Sequence, residues 1–286
     1  MKTKILYEDN EIMVIHKPSG IATHTSRVGQ ADVVSELRNY LAAQARKEVT
    51  EAAGKPGITK FQGKPGKVGG ASQGKAGKFG QAPFLGVVHR LDQPVEGLLV
   101  FAKTPKATAA LNEQLKDGTL NKQYYAVVCG KPDPSEGQLV DYLLKEDTGS
   151  KVVSKGIEGA KKAVLDYYVM DTQNLGVGSM MGVGDQWDKQ VEVSLVKVYI
   201  FTGRYHQIRC QLSNLGHPLL GDVKYGNELS GLMSRTLHVN ATALCAYHLS
   251  LIHPTTGKEL SFSVSPENRA FAIFQNYFNE NSHTNI

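Results

Sequence analysis

Cysteine is scarce: Cys129, Cys210 and Cys245 are the three in 286 residues, and none forms a C-x-x-C pair. That spacing excludes a disulfide framework or a cysteine zinc cluster and fits a reducing compartment, so the expected location is the cytoplasm. The sequon Asn240-Ala241-Thr242 is then a chance match. No apolar run reaches the roughly 18 residues of a membrane-spanning helix. The opening Met1-Lys2-Thr3-Lys4-Ile5-Leu6-Tyr7-Glu8-Asp9 lacks the apolar stretch of a secretory leader, and none is expected. No His, Cys, Asp or Glu set falls at metal-ligand spacing, so no metal is assigned.

The chain is long enough to bury a core, and 41% hydrophobic with 21% charged residues describes an ordinary soluble globular protein. The net charge of +5 is unevenly placed. Residues 46–82 hold eight basic and two acidic side chains, +6 in all, so the remainder sums to −1. Within residues 47–83, nine glycines and seven lysines recur with almost no large apolar residue. Such a segment buries too little surface to offset its ordering entropy and is expected to be a flexible basic insertion. Gly69 to Lys75 spells G-x-x-x-x-G-K, but Ala76 replaces the magnesium-binding hydroxyl and no apolar strand leads in. A nucleotide site is not assigned there.

Elsewhere the pattern alternates between strand and helix. Ile5-Leu6-Tyr7 and Ile12-Met13-Val14-Ile15 read as two strands around a turn, closed by Lys17-Pro18-Ser19-Gly20. Asp32 caps a helix carrying Val34, Leu37, Leu41 and Ala45. Leu98 to Ala102 is a buried strand, and Thr104, Pro105 and Gly118 bracket a helix. Strands follow at 122–130 and 191–201, with 172–190 read as a Gly-rich hairpin loop. A short helix with Ile208, Leu212 and Leu215 on one face ends at Gly216 and Pro218. Strands at 244–253 and 260–264 close the chain, and Gln275 onward is expected to fray. Strands without regular β-α-β alternation predict an α+β class with a mixed, mostly antiparallel sheet and flanking helices.

Three segments carry chemistry. Asp92, in His89-Arg90-Leu91-Asp92, sits directly before a buried strand, a rigid mount for a reactive side chain. By itself it also reads as a turn aspartate paired with Arg90. Gly203-Arg204-Tyr205-His206-Gln207-Ile208-Arg209 gathers strong donors at a helix start, suited to phosphate or carboxylate, or simply to solvent. Gly216-His217-Pro218 to Gly226 is a shaped loop, in which His217 is expected to bond backbone.

In order along the chain, four segments carry a family resemblance. They are Lys17-Pro18-Ser19-Gly20 after its hairpin, His89-Arg90-Leu91-Asp92 running on through Gly97-Leu98-Leu99-Val100-Phe101-Ala102-Lys103, Lys122-Gln123-Tyr124-Tyr125-Ala126-Val127-Val128-Cys129-Gly130, and Gly203 to Arg209 with Gly216-His217-Pro218 and Gly221-Asp222. Together they resemble the RluA family of RNA pseudouridine synthases. Val95-Glu96 stand where the family often has Thr-Ser, and a carboxylate there would raise the pKa of Asp92 if close. Cys245 lies where a histidine is common, and no RNA-binding domain of the S4 type is expected ahead of the hairpin.

The resemblance implies one pseudouridine synthase catalytic domain over residues 1–286, with a central RNA-binding cleft, acting on ribosomal or transfer RNA as an expected monomer. It implies isomerisation of uridine: the C1′–N1 bond breaks, the base turns, and C1′ rejoins at C5. No redox change occurs, so no cofactor is expected. Asp92 is the implied nucleophile, Tyr124 the tyrosine that stacks on uracil or takes a proton, and Arg209 the partner that keeps Asp92 ionised. Arg90, Arg204 and His206 are the implied substrate-binding or loop-shaping residues. A non-catalytic RNA binder on the same fold is the alternative, and an N-glycoside hydrolase the weaker one, for want of a second carboxylate. The basic insertion reads equally as an RNA-tracking arm or a solubilising loop. As an arm, its deletion over residues 50–80 is expected to weaken RNA binding and flatten its salt dependence. Unchanged affinity and salt slope in a filter-binding titration leave the solubilising loop.

Overall fold

The computed structural model describes residues 1–25, 29–53, 83–176 and 190–281. The G-x-x-x-x-G-K string and most of the basic insertion lie outside the described residues. The chain starts with strands β1 (Lys4–Glu8) and β2 (Ile12–Lys17) and helix α1 (Val33–Ala53). Strands β3 (Gly86–Val87) and β4 (Glu96–Ala102), helix α2 (Pro105–Asp117) and strand β5 (Asn121–Cys129) follow. Next come β6 (Glu136–Lys145), β7 (Ser150–Val153), β8 (Lys161–Gly176) and β9 (Gln190–Ile200). Helices α3 (Gln207–Asn214) and α4 (Glu228–Thr236), strands β10 (Leu244–Ile252) and β11 (Glu259–Ser263), a 3-10 helix (Arg269–Phe274) and α5 (Gln275–Asn281) complete it.

Local chemistry sets these boundaries. The Asp32 carboxylate accepts the Ser35 N–H at 2.7 Å and starts α1, as its position predicts. That helix runs on to Ala53, several residues into the stretch expected to be a flexible insertion. The Thr104 hydroxyl accepts the Ala107 N–H, Pro105 follows it, and Gly118 closes α2 with φ 83°. Of the loop expected over 172–190, residues 172–176 instead continue β8 and Gln190 opens β9, while 177–189 lie outside the described residues. The tail from Gln275 is likewise corrected. It forms α5, and Tyr277 and Phe278 pack against Tyr125.

The eleven strands form one sheet in the order β1-β2-β4-β10-β5-β9-β8-β6-β7, with β11 on β10 and β3 on β4. The β4–β10 contact is the parallel one; the other ladders are antiparallel. Helices α1 and α3 cover one face, burying Val33, Leu37, Ile208 and Leu212 with Tyr124 and Val198. Helix α4 and the 3-10 helix cover the other, where Met233 and Phe271 meet Val127 and Leu195. Alternation along β5 and β9 therefore assigns even-numbered residues to the α1–α3 face and odd-numbered ones to the opposite face. The β5–β9 ladder ends at Gln123 opposite Tyr199. Beyond it β5 stays with β10 and β9 stays with β8, so the sheet forks between Lys122 and Ile200.

At the β4–β10 contact the backbones are close. Gly97 has φ 126°, and a Cβ there would lie 2.5 Å from the nitrogen and oxygen of Ala246. Backbone cannot yield as a flexible side chain does, so only glycine fits. Gly97→Ala is expected to cost on the order of 3 kcal/mol, from strain and overpacking together. A urea unfolding titration measures it.

Candidate active site

Asp92 occupies the loop between β3 and β4, and that loop is pinned from three sides. The Thr23 hydroxyl accepts the Leu91 N–H and donates to the Leu91 carbonyl. His89 Nε2 accepts the Val100 N–H at 3.1 Å. Lys17, at the end of β2, is completely buried and donates Nζ to the carbonyls of Pro18, Ile21 and Gln93. Burial pushes the Lys17 ammonium down to about 7, while the charges of Asp92 and Glu96 pull the other way.

Across from the loop stands α3. Its first turn is braced by Gln207, whose side-chain oxygen accepts from Thr202 Oγ1 and the Arg204 N–H. This brings Arg209 under Asp92. Arg209 Nη1 donates to Asp92 Oδ2 at 2.9 Å, while Nε and Nη2 grip Asp222 at 2.6 and 2.8 Å. Burial opposes the arginine's charge, but the two carboxylates more than offset it and the guanidinium stays charged. Burial alone would raise the Asp222 pKa; hydrogen bonds and charge from Arg209 hold it below the usual carboxylate range.

His206 precedes α3 in the left-handed region, at φ 54°, a strained conformation for a side chain with a Cβ. Its Nε2 lies 3.6 Å from the same Asp92 Oδ2. Its Nδ1 lies 3.0 Å from the Tyr225 hydroxyl, which itself accepts the Ser150 N–H. The Tyr225 hydroxyl thus links His206 to the backbone of β7. Burial lowers the His206 pKa, with Asp92 partly offsetting it, so the ring is neutral near pH 7. Arg209 therefore donates to Oδ2, and among the described residues none donates to Oδ1.

All six residues singled out in the sequence line one cleft of about 1690 Å³: Arg90, Asp92, Tyr124, Arg204, His206 and Arg209. Asp92, His206 and Arg209 interact directly. Tyr124 is buried on the same face of the sheet, and burial together with the Asp92 charge raises its hydroxyl well above the ordinary phenol range. Arg90 and Arg204 are exposed at the rim, where Arg204 Nε donates to the Lys162 carbonyl.

Other residues take different parts. Glu96 does not crowd Asp92; its carboxylate accepts the N–H groups of Glu267 and Asn268 at 3.1 and 2.9 Å and fastens β4 to the C-terminal segment. His217 Nδ1 sits 3.1 Å from the Cys129 carbonyl, the backbone contact expected of it. Asp222, Tyr225 and Lys17 were given no site role by sequence reasoning. The available signals were a buried arginine's need for a second carboxylate and a lysine closing an apolar strand. His16, Glu96 and Glu267 approach one another within 4.8 Å, the group among the described residues with metal-ligand chemistry. It lies apart from the Asp92 contacts, and no helix among the described residues is long and apolar enough to cross a membrane.

The family profile described as RNA pseudouridylate synthase matches residues 11–214. The chain is 28% identical over 261 residues to ribosomal large subunit pseudouridine synthase D of Zymomonas mobilis, covering 91% of this chain and 68% of that one. It is 31% identical over 277 residues to an uncharacterized RNA pseudouridine synthase of Chlorobaculum parvum, covering 91% and 69%. With YhcT, an uncharacterized RNA pseudouridine synthase of Bacillus subtilis, it shares 30% over 252 residues, covering 88% of this chain and 65% of that one. The fold is shared with human RNA pseudouridylate synthase domain containing 4, with a TM-score of 0.61, 21% identity, and 95% and 93% of the two chains covered.

Asp222→Ala would leave the buried Arg209 guanidinium short of a partner. It is expected to destabilise the fold by about 3–5 kcal/mol, read from denaturant melts. Asp92→Ala, whose aspartate is partly exposed and whose removal leaves the Asp222 pair intact, is expected to cost far less.

Proposed function

Because the chain belongs to the RNA pseudouridylate synthases, of the RluA type, isomerases that convert uridine to pseudouridine in RNA, we propose that Asp92 is its nucleophile and that ribosomal RNA is its substrate. The observation that carries the first proposal is the asymmetry of the Asp92 carboxylate. Oδ2 accepts from Arg209 and lies 3.6 Å from His206 Nε2, while among the described residues none donates to Oδ1.

The chemistry follows from that asymmetry. An oriented carboxylate attacks, or stabilises the sugar cation as the C1′–N1 bond breaks. The uracil turns within the cleft and C1′ bonds to C5. The C5 proton is then lost and N1 gains one, so atoms balance without any external reactant. Arg209 orients the Asp92 carboxylate, and Asp222 keeps Arg209 in place. Tyr124 remains protonated under its burial, which favours it as a stacking wall for the base over a proton acceptor. Arg90 and Arg204, exposed at the rim, suit contacts to the RNA backbone. Extruding the target uridine costs roughly a few kcal/mol, recovered from these contacts.

Ribosomal RNA is preferred because ribosomal large subunit pseudouridine synthases C and D are among the curated relatives. The test is carbodiimide-dependent primer extension on unmodified ribosomal and transfer RNA. The wild type is expected to produce stops in ribosomal RNA, and Asp92→Asn to lower the rate by on the order of a thousandfold or more. Stops that persist in the variant would exclude Asp92, stops confined to transfer RNA would exclude the ribosomal substrate, and release of free uracil would point to hydrolysis.

A further inference from the structure

The cleft does not end on the face of the sheet that holds Tyr124. Its lining continues past the fork to Tyr168, Lys197, Tyr199 and Phe201. By strand alternation Lys197 and Tyr199 belong to the opposite face, Tyr168 stands directly across from Lys197, and Phe201 follows the end of β9. The cleft therefore takes lining from both faces beside the point where β5 parts from β9.

The chemistry beyond the fork is distinctive. The Tyr168 and Tyr199 rings meet edge to face, with centroids 5.8 Å apart. The Lys197 ammonium lies 5.2 Å from the centre of the Tyr199 ring and 5.9 Å from that of Tyr247. Phe201 is 62% exposed and Tyr168 38% exposed. None of Tyr168, Tyr199 and Phe201 joins a hydrophobic core cluster of the described residues. Core packing thus does not explain why large aromatic rings stand there. At the near rim Lys145 lies over Tyr205 in the same manner, at 5.5 Å. Exposed rings interleaved with ammonium groups recognise unpaired nucleic acid: bases stack on the rings and phosphates meet the cations. A duplex offers no free base faces to such a surface.

We propose that Tyr168, Lys197, Tyr199 and Phe201 form a stacking platform for unpaired nucleotides flanking the target uridine, so that the enzyme takes its uridine from a single-stranded or looped region. The inference rests on the reading of the chain as an RNA-modifying enzyme. It adds the conformation of the RNA and the residues that select it.

Fluorescence anisotropy with a labelled oligouridylate tests it, alone and annealed to oligoadenylate, using the full chain with Phe201→Ala and Tyr168→Ala. Both side chains are exposed, so melting temperatures should match the wild type and report intact folding. Each variant is expected to raise the Kd for the single strand about tenfold, with Phe201→Trp restoring it and duplex binding unchanged. In the primer-extension assay the loss is expected to fall on KM more than on kcat. Unmoved Kd and KM in folded variants, with an active wild type, would overturn the platform alone. A wild type that makes no pseudouridine but loses single-strand binding in the variants would overturn the proposed reaction and leave the platform standing. A loss equal for single strand and duplex would reduce the surface to general electrostatics and overturn stacking.

Discussion

The guanidinium of Arg209 is the interaction on which the site depends. It ties its own helix to the loop bearing Asp92, 117 residues away, and to the turn bearing Asp222. A buried cation between two carboxylates satisfies both the charge and the geometry of each. Asp222 takes two of the guanidinium's donors and so fixes the plane of the fork; the remaining edge is presented to Asp92. Lysine could supply the charge but not the planar set of donors. The whole turn from Gly221 to Gly226 serves this end: Asp222 also accepts the N–H groups of Lys224 and Tyr225, which puts the Tyr225 hydroxyl in reach of His206.

The sheet supplies what a single ion pair cannot. Its parallel β4–β10 contact brings the strand after Asp92 beside the strand that flanks Tyr124. Glycine at position 97 lets those backbones close up. Glu96 ties the same strand to the C-terminal segment. The loop bearing Asp92 is thereby held by elements from both ends of the chain, while beyond the fork β5 and β9 go with different partners.

Much of the fold was legible because its punctuation is local. Thr104, Pro105 and Gly118 define a helix without help from distant residues, and an unbroken apolar run announces β4. Strand β6 was missed because its burial alternates between exposed and half-exposed residues, which leaves little hydrophobic contrast to read. Helix α5 was misread as a frayed tail because its tie to the body lies in Tyr277 and Phe278 meeting Tyr125, a contact of long range. The site follows the same logic. Asp92 and Arg209 are 117 residues apart, and no local rule joins them; the resemblance to a family did. Asp222 and Lys17 stood in quoted segments without a role, since a sequence does not say which polar side chain will be buried.

Lys17 makes folding of this chain a proton-linked reaction. Its ammonium titrates near 7 in the folded protein, against roughly 10.4 for a free lysine. Between those values the unfolded chain holds a proton that the folded one has released. Unfolding in mildly alkaline solution therefore takes up a proton, and the folded state gains stability as pH rises through that window. Below it the charge is retained by three carbonyl groups, and the loop that carries Asp92 is clamped at the cost of an ammonium kept out of water.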